Sequence, residues 1–135
     1  MFTMLALIDQ AAPDESIESL EERVNAQFGS DPGFTLEYET LPFKKSRNLL
    51  LRWPGWTARL CPEAGPKVLE ESMAIAQGLG SAAPPRLAGI DRRIRAVYGN
   101  DPAEDYIDHM IELTQLLQDT PGAVVFDPQQ NKIRD

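Results

Sequence analysis

The stretch DPAEDYIDHMIELTQLLQDTPGAVVFD, Asp101–Asp127, decides the fold class. Tyr106, Met110, Leu113 and Leu117 recur at helical spacing and form one apolar stripe, flanked by Ile107 and Ile111. Asn100 or Asp101 is placed to cap this helix, and Pro102 suits its first position. Gly122 then precedes Ala123–Phe126, a short apolar run that reads as a strand. A helix that turns directly into a buried strand belongs to a chain that packs helices on a sheet.

The same stretch is acidic. It carries Asp101, Glu104, Asp105, Asp108, Glu112, Asp119 and Asp127, and no Lys or Arg occurs from Ala96 to Asn131. Glu104, Asp105, Asp108 and Glu112 fall on the outer face of the expected helix. None meets a cation four residues away, and Glu104 and Asp108 stand four apart as like charges, which costs a few tenths of a kcal/mol. Two explanations relieve that repulsion: a cationic partner, or Arg92, Arg93 or Arg95 reaching across from the sheet.

Upstream, Phe2–Ile8 reads as a central strand. Asp14 or Ser16 caps a helix whose Ile17, Leu20, Val24 and Phe28 share one face, and Gly29 ends it in a position suited to a left-handed residue. Phe34, Leu36 and Tyr38 alternate with polar residues, as in a half-exposed strand. Pro42–Ser46 is a hairpin tip and Asn48–Trp53 the return strand. Trp53-Pro54-Gly55-Trp56 is a tight turn, and Thr57–Cys61 is another short strand or the same strand after a kink. Pro62–Gly65 breaks the pattern. Pro66 starts a helix with Val68, Leu69, Met73, Ile75, Ala76 and Leu79 on its apolar face. Leu87–Tyr98 is extended, with Ile90, Ile94, Ala96 and Tyr98 on one face. Lys132–Asp135 pairs back as an edge strand.

This order predicts one α+β domain over residues 1–135, with a ferredoxin-like split βαβ core. The sheet is expected to be antiparallel or mixed, with helices on one face, extended by the third helix and last strand. The length of 135 residues is that of a single core, and 42% apolar with 25% charged residues is the balance of a soluble globule. No apolar run reaches the roughly 18 residues that span a bilayer. The opening MFTMLALIDQAA has no basic segment and is interrupted by Asp9, so it reads as a strand rather than a signal peptide, and the expected location is cytoplasmic.

Charge is unevenly placed within the net −8: residues 1–43 hold nine acids and one base, 44–95 ten bases and four acids, and 96–135 eight acids and two bases. The overall sign argues against general nucleic-acid binding and for a basic protein partner. The middle segment, with Lys44, Lys45, Arg47 and Asp91-Arg92-Arg93-Ile94-Arg95, is the best anion-binding candidate; salt bridges to neighbouring acids are the plainer reading.

Little catalytic chemistry is legible. One Cys and one His are too few for a zinc site, and Asp101, Asp105 and Asp108 lack the loop spacing of an EF-hand. There is no G-x-S-x-G, P-loop or G-x-G-x-x-G. Cys61 cannot form an internal disulfide, and nothing in the order of residues brings it to His109. The expectation is a non-enzyme without metal or cofactor. Trp53 and Trp56 flank a turn, where Trp serves as an exposed binding anchor or as a core anchor.

The last third of the chain, in Asp101-Pro102, in the acidic helix through Asp119, and in the Gly-x-Val-Val-x-Asp of Gly122–Asp127, resembles small acidic α+β proteins of bacterial toxin-immunity families. The resemblance implies stoichiometric, non-catalytic neutralisation of a cognate toxin, such as a basic nuclease-type effector delivered by a type VI system. Glu104, Asp105, Asp108 and Glu112, with Trp53 and Trp56, are the expected partner-binding residues, with no direct nucleic-acid or membrane contact. The alternative is a ferredoxin-like ligand-binding or regulatory domain, homodimeric through its sheet.

Overall fold

The computed structural model describes residues 2–13, 15–43 and 46–134. The chain opens with strand β1, Phe2–Ile8, an interior strand of the sheet. Both parities of β1 are apolar: Met4, Ala6 and Ile8 enter one hydrophobic cluster, Leu5 and Leu7 a second. A strand of that composition is satisfied only when both faces are covered.

Helix α1, Ile17–Phe28, follows, and the Ser16 hydroxyl accepts the Ser19 N–H at 3.1 Å as its cap. The alternative cap, Asp14, lies outside the described residues. Leu20, Val24 and Phe28 are buried on β1's first face. Gly29 does not take the expected left-handed conformation. Its φ is −59°, and a Cβ would come within 2.5 Å of the Asn25 carbonyl oxygen, so this glycine serves close approach rather than handedness.

A meander of β2 (Thr35–Thr40), β3 (Arg47–Trp53) and β4 (Trp56–Ala64) comes next, with Gly55 at φ 78° in the tight turn between Trp53 and Trp56. β4 is a full strand of its own, and it runs through Pro62, where a break was expected. The Gly99 N–H bonds the Thr57 carbonyl and the Gly65 N–H bonds that of Asp91, so odd residues of β4 bond β5 and Pro62 faces β3. The β3–β4 ladder has already ended at Leu49–Leu60, so the missing proline N–H costs nothing there.

Helix α2, Pro66–Leu79, starts at proline as expected. Leu87–Gly89, expected to be extended, is instead a 3₁₀ turn that buries Leu87 and delivers Ile90 to the second cluster. β5, Arg92–Tyr98, follows, with Ile94, Ala96 and Tyr98 in the first cluster. Helix α3 (Ile107–Gln118), β6 (Ala123–Asp127) and β7 (Lys132–Arg134) complete the chain.

The sheet has seven strands in the order β2-β3-β4-β5-β1-β6-β7, and every neighbouring pair is antiparallel. The α+β class stands, but the helices do not share one face. α1 and α3 cover the face of Met4, Ala6 and Ile8, whereas Ile75, Ala76 and Leu79 of α2 pack on the face of Leu5 and Leu7. The split βαβ core is not confirmed either: β1 lies between β5 and β6, and the sheet is larger than that motif. No helix among the described residues is long and apolar enough to cross a membrane.

Candidate functional site

The acidic segment starts as a turn, not as helix. The Asp101 carboxylate accepts the N–H groups of Asp105 (3.0 Å) and Tyr106 (2.9 Å), while the Glu104 N–H bonds the Asp101 carbonyl. These local bonds compete with helix formation, and Glu104 adopts φ 58°. Pro102 therefore sits before the helix, which begins at Ile107 instead. Glu104 and Asp105 lie in the preceding turn, and only Asp108 and Glu112 lie on α3. Glu104, Asp105 and Asp108 are exposed and Glu112 is half-buried.

An aromatic platform holds this segment. Trp53 and Trp56 are 5% and 3% exposed, which corrects the expectation that they offer a surface anchor: β3 and β4 direct both rings inward, against α1 and α3. Tyr106 stacks on Trp56, with centroids 5.0 Å apart and planes 9° from parallel, and its hydroxyl donates to the Pro54 carbonyl. His109 lies against Phe28, Trp53 and Tyr106. Its Nε2 is 3.2 Å from an Asp31 carboxylate oxygen that also accepts the Trp53 Nε1–H at 3.1 Å. One turn on, the Tyr98 and Thr114 hydroxyls are 3.0 Å apart. Burial pushes the Tyr98 phenol up to about 12, against the opposing effect of its Thr114 bond. The Trp turn and the acidic stretch, expected together as partner-binding residues, thus form one unit of different parts: the tryptophans are its buried support, and Glu104, Asp105 and Asp108 are exposed with Glu112 half-buried.

The sheet arginines do not neutralise those carboxylates. Arg92 donates to the carbonyls of Asp9 and Ala12. Arg93 pairs with Glu63 at 2.9 Å and with Glu71, and Arg95 with Glu63 at 3.2 Å. Burial would raise Glu63, but the Arg93 hydrogen bond and the charges of Arg95 and Arg93 hold its carboxyl below the usual range. Arg47 pairs with Glu18, Arg52 with Glu37 and Arg59 with Glu39. With Arg86 paired to Asp9, each described arginine of the middle segment has a partner within the fold; Lys44 and Lys45 lie outside the described residues. Among the described residues, Glu104, Asp105, Asp108 and Glu112 make no ion pair.

Among the described residues no group of His, Cys, Asp or Glu is placed to hold a metal ion. Cys61 is a buried thiol at an odd position of β4, on the face opposite the one where α3 carries His109.

Sequence reasoning missed a groove of about 510 Å³ between α3 and the β1–β7 side of the sheet. Phe2, Met4, Ile107, Met110 and Ile111 are its apolar lining, and Lys132 and Arg134 line it from β7. Ile107 and Ile111 were expected to flank the buried stripe, yet they are 42% and 49% exposed. At about 100° per residue both point well away from Leu113 and Leu117, a signal that was present in the spacing.

No family model, curated protein or solved structure matches this chain.

Proposed function

We propose that this chain is a bacterial immunity protein that binds a cognate toxin one-to-one in the cytoplasm and blocks it without catalysis. The toxin is of the basic, nuclease-like kind that type VI systems deliver. The binding surface is Glu104, Asp105, Asp108 and Glu112. The observation that carries this reading is that these four carboxylates make no ion pair among the described residues, while Arg93 and Arg95 are engaged by Glu63. Asp108 and Glu112 still stand four apart on α3 as like charges with no cation from the sheet to relieve them, and a cationic partner is the remaining explanation. The rigid aromatic platform beneath them lowers the ordering cost of association, and a dense negative field speeds encounter with a basic surface.

The test begins with the chain as bait in lysate of its own bacterium. A retained protein that is toxic alone and silent when mixed one-to-one supports the reading; a retained protein whose toxicity persists in the complex overturns it. Asp105→Lys with Asp108→Lys then slows association and removes most of its salt dependence. Unchanged affinity in a folded double variant takes this surface out of the interface.

A further inference from the structure

We infer that the α3 face also docks a second copy of this chain, forming a weak symmetric dimer with the two α3 helices parallel. This goes beyond the proposed function and does not rest on it.

Three observations converge. Ile107 and Ile111 are exposed and sit four residues apart, beside half-buried Met110, on a groove of about 510 Å³. Neighbouring exposed apolar side chains of this size mark an interaction surface more often than scattered single ones do. Lys132 and Arg134 line the groove on its β7 side and make no ion pair among the described residues. Asp108 and Glu112 each follow an isoleucine by one residue, so at about 100° per residue they lie on the side of Ile107 and Ile111 away from β7, outside the groove lining, and they also make no ion pair among the described residues. One face therefore presents an apolar strip between a row of unsatisfied cations and a row of unsatisfied anions.

Such a face is complementary to itself in one arrangement. A two-fold axis running along α3 exchanges left and right across the interface, so the acids of one copy meet the cations of the other over a shared isoleucine strip. A two-fold axis across the helix, within the interface, would set acid over acid and cation over cation. Closed two-fold symmetry is the commonest form of self-association, and charge selects the parallel form here. Ile107 and Ile111 then pack on their own counterparts. The patch is small, so the dimer is weak and salt-sensitive. Asp108 and Glu112 belong to both surfaces, so this dimer and the complex with a cationic protein exclude each other. The two proposals fail separately, because self-association is measured with no partner present.

The experiment is sedimentation equilibrium of the intact chain at low salt, up to about 1 mM. The mass should rise toward twice that of the monomer and fall back when salt is added. Two charge variants test the acid-to-cation pairing: Asp108→Lys with Glu112→Lys, and Lys132→Glu with Arg134→Glu. Each alone should remain monomeric, and an equimolar mixture of the two should dimerise. Circular dichroism confirms that both fold. A wild-type chain that stays monomeric throughout overturns the proposal. So does either variant dimerising alone as the wild type does, or a mixture that fails to associate.

Discussion

Tyr106 lies flat on Trp56, with centroids 5.0 Å apart and planes 9° from parallel. The contact joins the residue before α3 to the first residue of β4, and it fixes where the acidic turn leaves the core. Trp56 is held in turn by its own Nε1–H, which donates to the Gly99 carbonyl at 2.9 Å. The acidic turn is thus anchored by a ring pair in which Trp56 is buried and Tyr106 half-buried.

Trp56→Ala should therefore cost about 3–5 kcal/mol in chemical denaturation. Tyr106→Phe keeps the stack, loses only the bond to Pro54, and should cost about 0.5–1.5 kcal/mol. A Trp56→Ala loss below that of Tyr106→Phe would show that the stack does not anchor the segment.

Leu113 is fully buried on the stripe that faces β1. Leu113→Ala should cost about 2–5 kcal/mol. A change under about 0.5 kcal/mol in urea titration would contradict the packing of α3.

Glu63 gives the fold a pH dependence of known sign. Its carboxyl is held below the ordinary 4.5 in the folded chain. The unfolded state binds a proton more readily, so the contribution is present above 4.5 and is lost as pH falls through the folded value. Thermal unfolding followed from neutral to strongly acidic pH should show Glu63→Gln less acid-sensitive than the wild type below 4.5. Equal acid sensitivity would mean that Arg93 and Arg95 do not hold this carboxylate charged.

Asp105→Lys with Asp108→Lys should change stability by less than about 1 kcal/mol. Relief of like-charge repulsion opposes the loss of an acid from the first turn of α3, and both effects are small. Destabilisation well beyond that in guanidinium would reveal an internal cation paired with this face.

How far the chain was readable depends on the range of the interactions involved. Periodicity found the helical stripe of Leu113 and Leu117 and the inward face of Ile94, Ala96 and Tyr98, and local composition narrowed the first helix's cap to Asp14 or Ser16, because each is set within a few residues. The start of α3 was misplaced because Asp101 looked like a helix cap, while its carboxylate in fact closes a turn. In the candidate site, the density of unpaired acids was legible as composition. Which of them stand on the helix was not.

The sequence by itself determined the α+β class, the main strands and helices, and a charge distribution that leaves Ala96–Asn131 without a base. Tertiary structure alone decided that α2 covers the opposite face, that β1 sits between β5 and β6, and that Trp53 and Trp56 turn inward. It also decided that Arg93 and Arg95 pair with Glu63, across two neighbouring strands, rather than with the acids near α3. The physical reason is that spacing along a chain reports which residues share a face, whereas what covers that face depends on strand order and crossover, which are set by contacts between segments far apart in sequence.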